Sequence, residues 1–143
     1  MSASITTHTE AETAAVGREL ARALRAGSIV LLWGDLGAGK TTFVRGLAEG
    51  LGIDPREVSS PTFTLIQEYR GGRLPLFHVD LYRVESAEVE DLGLEELTTG
   101  GGVTAIEWPD RLPRPLEEAV VVHIEHGDAS TRTIRISDAT PQP

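Results

Sequence analysis

Apolar residues along the chain fall into short blocks whose spacing alternates between helical and extended, with glycines at most of the breaks. Thr9-Glu10-Ala11-Glu12 has the form of a capping box, a hydroxyl followed three residues later by a carboxylate. Val16, Leu20 and Leu24 follow at intervals of four with Arg18, Arg22 and Arg25 between them, so a one-faced helix is expected from Thr9 until Gly27. Residues 28–33, Ser-Ile-Val-Leu-Leu-Trp, form a continuous apolar run bounded by glycines, the pattern of a central strand buried on both faces. Phe43, Leu47 and Leu51 then recur at helical spacing until Gly52.

Alternation returns at Phe63, Leu65, Gln67 and Tyr69, with Thr64, Ile66 and Glu68 on the other face. After the turn at 70–73, residues 74–84 read as a second strand whose start Pro75 places near a sheet edge, giving an antiparallel hairpin. The acidic stretch 85–97 predicts a short helix closed by Gly100, Gly101 and Gly102, and 103–108 is the next strand. Residues 119–124 and 131–136 predict a closing hairpin around 127–130. The expected architecture is α/β, a central mixed β-sheet flanked by helices in one domain over 1–143, with 1–8 and 138–143 as flexible termini.

Composition narrows the functions open to such a domain. Thirteen basic against 22 acidic residues leave a net charge of −9, so most of the surface repels a polyanion and autonomous DNA or RNA binding is disfavoured. Without cysteine there is no disulfide, thiolate metal site or cysteine nucleophile. No run approaches the roughly 20 apolar residues of a membrane span, and the polar start lacks a signal-peptide pattern, so a cytoplasmic location is expected. Twelve of the 13 basic residues are Arg, and the single Lys is Lys40. A compact point charge differs from a planar fork, so a lone lysine invites a chemical reason.

That reason lies in Gly34-Asp35-Leu36-Gly37-Ala38-Gly39-Lys40-Thr41, which matches the phosphate-binding P-loop and sits between the apolar strand and the helix, as a P-loop requires. This chain's own residue frequencies give about 0.002 accidental matches, so chance is a poor explanation. Gly34, Leu36, Gly37, Ala38 and Gly39 would wrap backbone N–H groups around an anion, Lys40 would reach the outer phosphates, and Thr41, followed by Thr42, would offer a hydroxyl to Mg²⁺. Such a site needs an acidic partner for Mg²⁺ and a group to orient the nucleophile. Asp80 and Glu107 each end an apolar strand, where α/β sheets place ligand contacts. Ser59, Ser60, Thr62 and Thr64 occupy the place of a nucleotide-sensing switch, although turn chemistry around Pro61 explains them equally well. His78 reads more readily as a core histidine than as a catalyst, and Arg83 as either a phosphate contact or a partner of local carboxylates. Trp108 fits a buried anchor or a site wall, with Pro109 marking a loop.

Four motifs occur in order: Gly34 to Phe43, Ser60-Pro61-Thr62-Phe63-Thr64-Leu65, His78-Val79-Asp80-Leu81-Tyr82-Arg83 and Ile106-Glu107-Trp108-Pro109. Together they resemble the TsaE family, small P-loop ATPases of bacterial tRNA threonylcarbamoyladenosine synthesis. The resemblance implies a small P-loop NTPase fold, ATP/ADP and Mg²⁺ as ligands, and weak ATP hydrolysis. It also implies assembly with TsaB and TsaD, which modify adenosine 37 of tRNAs reading codons that begin with A, so tRNA is met only through the complex. Carried over to this chain, Lys40 binds phosphates, Thr41 and Glu107 match the Mg²⁺ positions, and Asp80 matches the acidic residue of the third motif. Thr62 and Thr64 match the switch-like segment, Trp108 matches the aromatic beside the site, and Thr9 and Arg132 fall near the adenine. Which of Asp80 and Glu107 orients the attacking water stays open. Two other readings compete. One is a small-metabolite kinase using Arg111 and Arg114 as lid clamps and Asp80 as base; the other is a nucleotide-dependent switch without productive turnover.

Overall fold

The computed structural model describes residues 2–35, 39–59, 66–113, 116, 118–129 and 131–139. Among them seven strands form one mixed sheet: β1 (Ser2–Thr7), β2 (Ile29–Trp33), β3 (Ile66–Tyr69), β4 (Leu76–Asp80), β5 (Val103–Glu107), β6 (Ala119–His126) and β7 (Arg132–Ala139). Four α-helices accompany them: α1 (Glu10–Ala21), α2 (Lys40–Gly50), α3 (Ser86–Val89) and α4 (Leu94–Thr98). The strand order is β1-β7-β6-β2-β5-β4-β3. β6, β2, β5 and β4 run parallel, and β3, β7 and β1 add antiparallel pairs at the two sides.

This topology decides where chemistry gathers. Parallel pairing brings the C-terminal ends of β2, β5 and β4 to one edge, and antiparallel pairing brings the first residues of β3 and β7 to that same edge. After β2 the chain travels to β3 and β4 on one side, and after β5 it crosses back over β2 to β6 on the other, leaving a crevice at the switch point. β2 is the middle strand, with Ile29 to Leu32 all buried, as its continuous apolar run predicts. Val30 and Leu32 pack in one cluster with Phe43 and Leu47 of α2, while Ile29 and Leu31 pack in the other with Val89 and Leu94 of α3 and α4. The period of two thus feeds two cores.

α1 begins as its capping box requires. Thr9 Oγ1 accepts from the Glu12 N–H at 3.1 Å and the Glu12 carboxylate accepts from the His8 N–H at 2.8 Å. Thr9→Ala should cost about 1 kcal/mol and lower the thermal midpoint by a few degrees, read by calorimetry. The helix stops at Ala21, short of the Gly27 expected from spacing. Arg73 Nη2 donates to the carbonyls of Ala21 and Leu24 at 2.6 and 2.9 Å, a cap supplied from 49 or more residues away that local pattern does not contain. α1 and α2 approach so closely that a Cβ added at Gly46 would lie 2.0 Å from the Ala14 carbonyl oxygen, and one at Gly17 would lie 2.4 Å from that of Phe43.

Four expectations need correction. Residues 2–7, expected as part of a flexible terminus, form β1, which pairs with β7 from Ser2 with Ser137 to Thr7 with Arg132, and β7 itself extends to Ala139. Nothing in the polar alternation of Ser2 to Thr7 announces a strand until an edge is available to pair with it. β4 spans only Leu76–Asp80, because Leu81 turns out of the strand, its N–H bonding the Glu107 carbonyl and its carbonyl accepting from Val84. β4 lies between β3 and β5, and Pro75 precedes it, so the missing N–H falls outside the ladder and marks no edge. The helix expected over 85–97 breaks into α3, a 3-10 turn and α4, since Gly93 takes φ +74°.

Candidate functional site

α2 starts at Lys40, capped by Gly39 in the left-handed conformation, φ 105° and ψ 15°, which an L side chain would strain. Gly39 has no side chain with which to cap α2, so the cap residue leaves the first N–H groups and the positive end of the dipole open to an anion. Lys40, 5% exposed, sends Nζ toward the ends of the parallel strands. There it lies 3.8 Å from Glu107 Oε1 and 4.0 Å from the centre of the Trp108 ring, with no hydrogen-bond partner among the described residues. Burial lowers the Lys40 pKa, and the carboxylates of Glu107, Asp80, Asp35 and Asp110 pull it back up. A buried ammonium with carboxylates near but none bonded is a cation waiting for an anion.

Glu107 and Asp80 are register partners at the ends of β5 and β4, so the ladder itself sets both carboxylates on one edge. Glu107 is buried and its Oε2 lies 2.5 Å from Nε2 of the fully buried His78. Asp80 is half-buried, and its Oδ1 accepts from the Tyr82 N–H at 2.9 Å. Burial raises the Asp80 pKa, opposed by that hydrogen bond and reinforced by the Glu107 charge. An acid whose folded pKa exceeds its unfolded one costs stability while ionised; the cost is full above the folded pKa and disappears as pH falls through it. Asp80→Asn, which keeps the acceptor for Tyr82, should therefore raise the melting temperature near neutral pH. The gain should shrink toward acid, as melts between about pH 4 and pH 8 will read.

Trp108 sits at φ 59° and ψ 54°, a left-handed conformation that is costly for a bulky residue. The turn lays its indole over Lys40 and against the Tyr82 ring, centroids 4.9 Å apart. Trp108 thus packs on the core cluster around Leu31 and Leu81 with one side and covers Lys40 with its ring. A cleft of about 560 Å³ opens beside it, lined in part by Trp33, Asp35, Asp110 and His123, with the Trp33 and His123 rings stacked 5.8 Å apart.

Thr41 and Thr42 are half-buried in the first turn of α2. Arg132, at the start of β7, comes to the glycine loop: a Cβ built on Gly39 would lie 3.9 Å from its Nε and 3.8 Å from Thr13 Cγ2. Its Nη1 donates to the Thr131 carbonyl at 3.0 Å. Thr9 caps α1 near by in sequence to Thr13, whose hydroxyl bonds that of Thr7 at 2.8 Å. Arg83 is exposed in the turn after β4. Arg111 follows Pro109 in a 3-10 turn with its Nε buried and unbonded. Leu36, Gly37, Ala38, Ser60, Thr62, Thr64 and Arg114 lie outside the described residues, and Gly34 lines the cleft.

Sequence reasoning ranked His78 with the core, and its burial agrees, yet its ring meets the site carboxylate. The signal was available: His78 and Asp80 are two apart on one strand and so share a face. Asp35 and Asp110 received no role, because their influence on Lys40 arises from loops that only the fold brings together.

Among the described residues no group of three or more His, Cys, Asp or Glu converges as a metal cage. The carboxylates of Glu107 and Asp80, in register at one edge, are hard oxygen donors of the kind that fits Mg²⁺ shared with phosphates, and Thr41 offers a hydroxyl from the first turn of α2. No helix among the described residues is long and apolar enough to cross a membrane.

A family model described as threonylcarbamoyl adenosine biosynthesis protein TsaE matches residues 7–134. A Synechocystis protein named tRNA threonylcarbamoyladenosine biosynthesis protein TsaE is 54% identical over 102 residues, covering 68% of this chain and 64% of that protein's length. A Bacillus subtilis protein of the same name is 50% identical over 119 residues, covering 82% of this chain and 74% of that one. The crystal structure of Bacillus subtilis YdiB superposes with a TM-score of 0.78 at 36% identity, covering 97% of this chain and 86% of that one.

Proposed function

The chain belongs to the TsaE family of tRNA threonylcarbamoyladenosine biosynthesis proteins, and from that premise we propose that it binds Mg²⁺-ATP and hydrolyses it slowly in support of TsaB and TsaD. The observation that carries this reading is the meeting of Lys40, from the start of α2, with Glu107 and Asp80 at the ends of two parallel strands. Lys40 binds the outer phosphates, for which an ammonium that is buried and makes no hydrogen bond among the described residues is suited. Thr41 and Glu107 hold Mg²⁺, which neutralises phosphate charge when bound. Asp80 orients the attacking water and takes its proton, a role suited to a half-buried carboxyl of raised pKa. Trp108 walls the phosphate side, Arg132, which reaches Gly39, flanks the adenine, and Thr9 at the start of α1 is the second adenine contact.

The modified substrate is adenosine 37 of tRNAs reading codons that begin with A, and the transfer belongs to TsaD. A net charge of −9 supports a subunit that meets tRNA only through its partners. A cytoplasmic site of action follows from that substrate. The test is Mg²⁺-ATP hydrolysis by the purified chain alone and with the TsaB–TsaD pair, using Lys40→Ala as the blank. Weak activity that rises with the pair is the expected result. Activity indifferent to the pair, but dependent on a small phosphoryl acceptor, would turn the reading toward a kinase.

A further inference from the structure

We propose that His78 is a positioning residue for the nucleotide site, donating a hydrogen bond from Nε2 to Glu107 so that the carboxylate stays available to Mg²⁺ and off Lys40. This rests on the role given to Glu107 above.

His78 is fully buried on β4, and its Nε2 meets Glu107 Oε2 at 2.5 Å, within hydrogen-bond reach. A carboxylate only accepts, so the proton between them belongs to Nε2. The other ring nitrogen, Nδ1, is buried without a hydrogen-bond partner among the described residues, and the Tyr69 ring lies tilted beside the imidazole with centroids 6.3 Å apart. A histidine kept for the core would have both nitrogens satisfied or be replaced by an apolar residue. Among the described residues, the polar contact of the ring is with the site carboxylate.

The geometry explains what that contact does. One oxygen of Glu107 is tied to His78 and the other stops 3.8 Å from Lys40 Nζ, beyond hydrogen-bond range. Released from His78, a carboxylate this buried would gain most by closing on the nearest cation, Lys40, which would take both groups from their ligands. The ring therefore works against collapse of the Lys40–Glu107 pair. Outer partners that orient a metal-binding group commonly carry 10–100-fold effects, roughly the size expected here.

Three substitutions separate this role from packing. Gln at position 78 places an amide N–H where Nε2 stands; Asn places it at Nδ1, pointing away from Glu107; Leu has none. His78→Leu and His78→Asn should lower kcat for Mg²⁺-ATP hydrolysis about tenfold or more and raise KM as Lys40 is drawn off the phosphates, whereas His78→Gln should stay within about threefold of wild type in both. In a Glu107→Ala background His78→Leu should have no further effect, because a residue acting through Glu107 has nothing left to position. Leu or Asn retaining wild-type kcat, Gln failing as badly as Leu, or losses that add fully to Glu107→Ala would each overturn the proposal. Nitrogen NMR of the nucleotide-free protein tests the contact without turnover: the ring should be the Nε2–H tautomer with a slowly exchanging proton that shifts in Glu107→Gln. An Nδ1–H tautomer would overturn it. A wild type that does not hydrolyse ATP would bring down the proposed function, and the tautomer would then decide this inference alone.

Discussion

Lys40→Ala is expected to weaken binding of Mg²⁺-ATP and Mg²⁺-ADP by about 3 kcal/mol, or roughly 100-fold, while leaving a folded protein. The reason is the state of the side chain. Its ammonium is buried, its pKa is lowered by desolvation, and among the described residues it forms no hydrogen bond, with the Glu107 carboxylate 3.8 Å away. A phosphate oxygen arriving at that point would gain a charge-assisted bond without breaking one. The fold loses little, because Glu107 keeps its contact with His78 when Lys40 is removed and α2 needs no charge at its first residue. Calorimetric titration with ADP measures the first half, and the far-UV spectrum with a thermal melt measures the second. Unchanged affinity in a folded variant would remove the phosphate site from the start of α2.

Glu107→Gln is expected to reduce single-turnover hydrolysis about 100-fold, with nucleotide affinity falling by less than about tenfold. Gln retains the shape of the side chain and an oxygen that can accept from His78, so the loss is of charge at the metal side and not of packing. Affinity persists because Lys40 and the N–H groups of α2 still hold the phosphates. Rapid-quench measurement with enzyme in excess of ATP separates this chemical step from product release. Wild-type turnover in Glu107→Gln would shift the burden of catalysis to Asp80, whose Asn variant would then show the larger loss.

Much of this site was legible before any fold was known, for reasons of local chemistry. The glycine loop, Lys40 and Thr41 lie together in sequence between a buried apolar run and an amphipathic one, so strand, loop and helix could be placed from periodicity alone. Asp80 and Glu107 were recognisable because each closes an apolar strand. The boundaries were less legible where distant groups end an element. α1 stops at a cap made by Arg73, and β4 stops where Leu81 bonds across to Glu107. β1 has no buried apolar face of its own, and it exists because β7 offers an edge.

Sequence by itself determined the chemistry types and the fold class: one lysine in a phosphate loop, two strand-end carboxylates, an acidic exterior and alternating elements that demand a mixed sheet. Tertiary structure alone decided distances and partners. It set Asp80 opposite Glu107, brought Lys40 under Trp108, placed Arg132 near Gly39 and gave His78 to Glu107. Local patterns register only neighbours within a few residues, whereas these contacts join residues 27 to 93 positions apart. Their energies depend on burial and direction, which exist only once the sheet has closed over them.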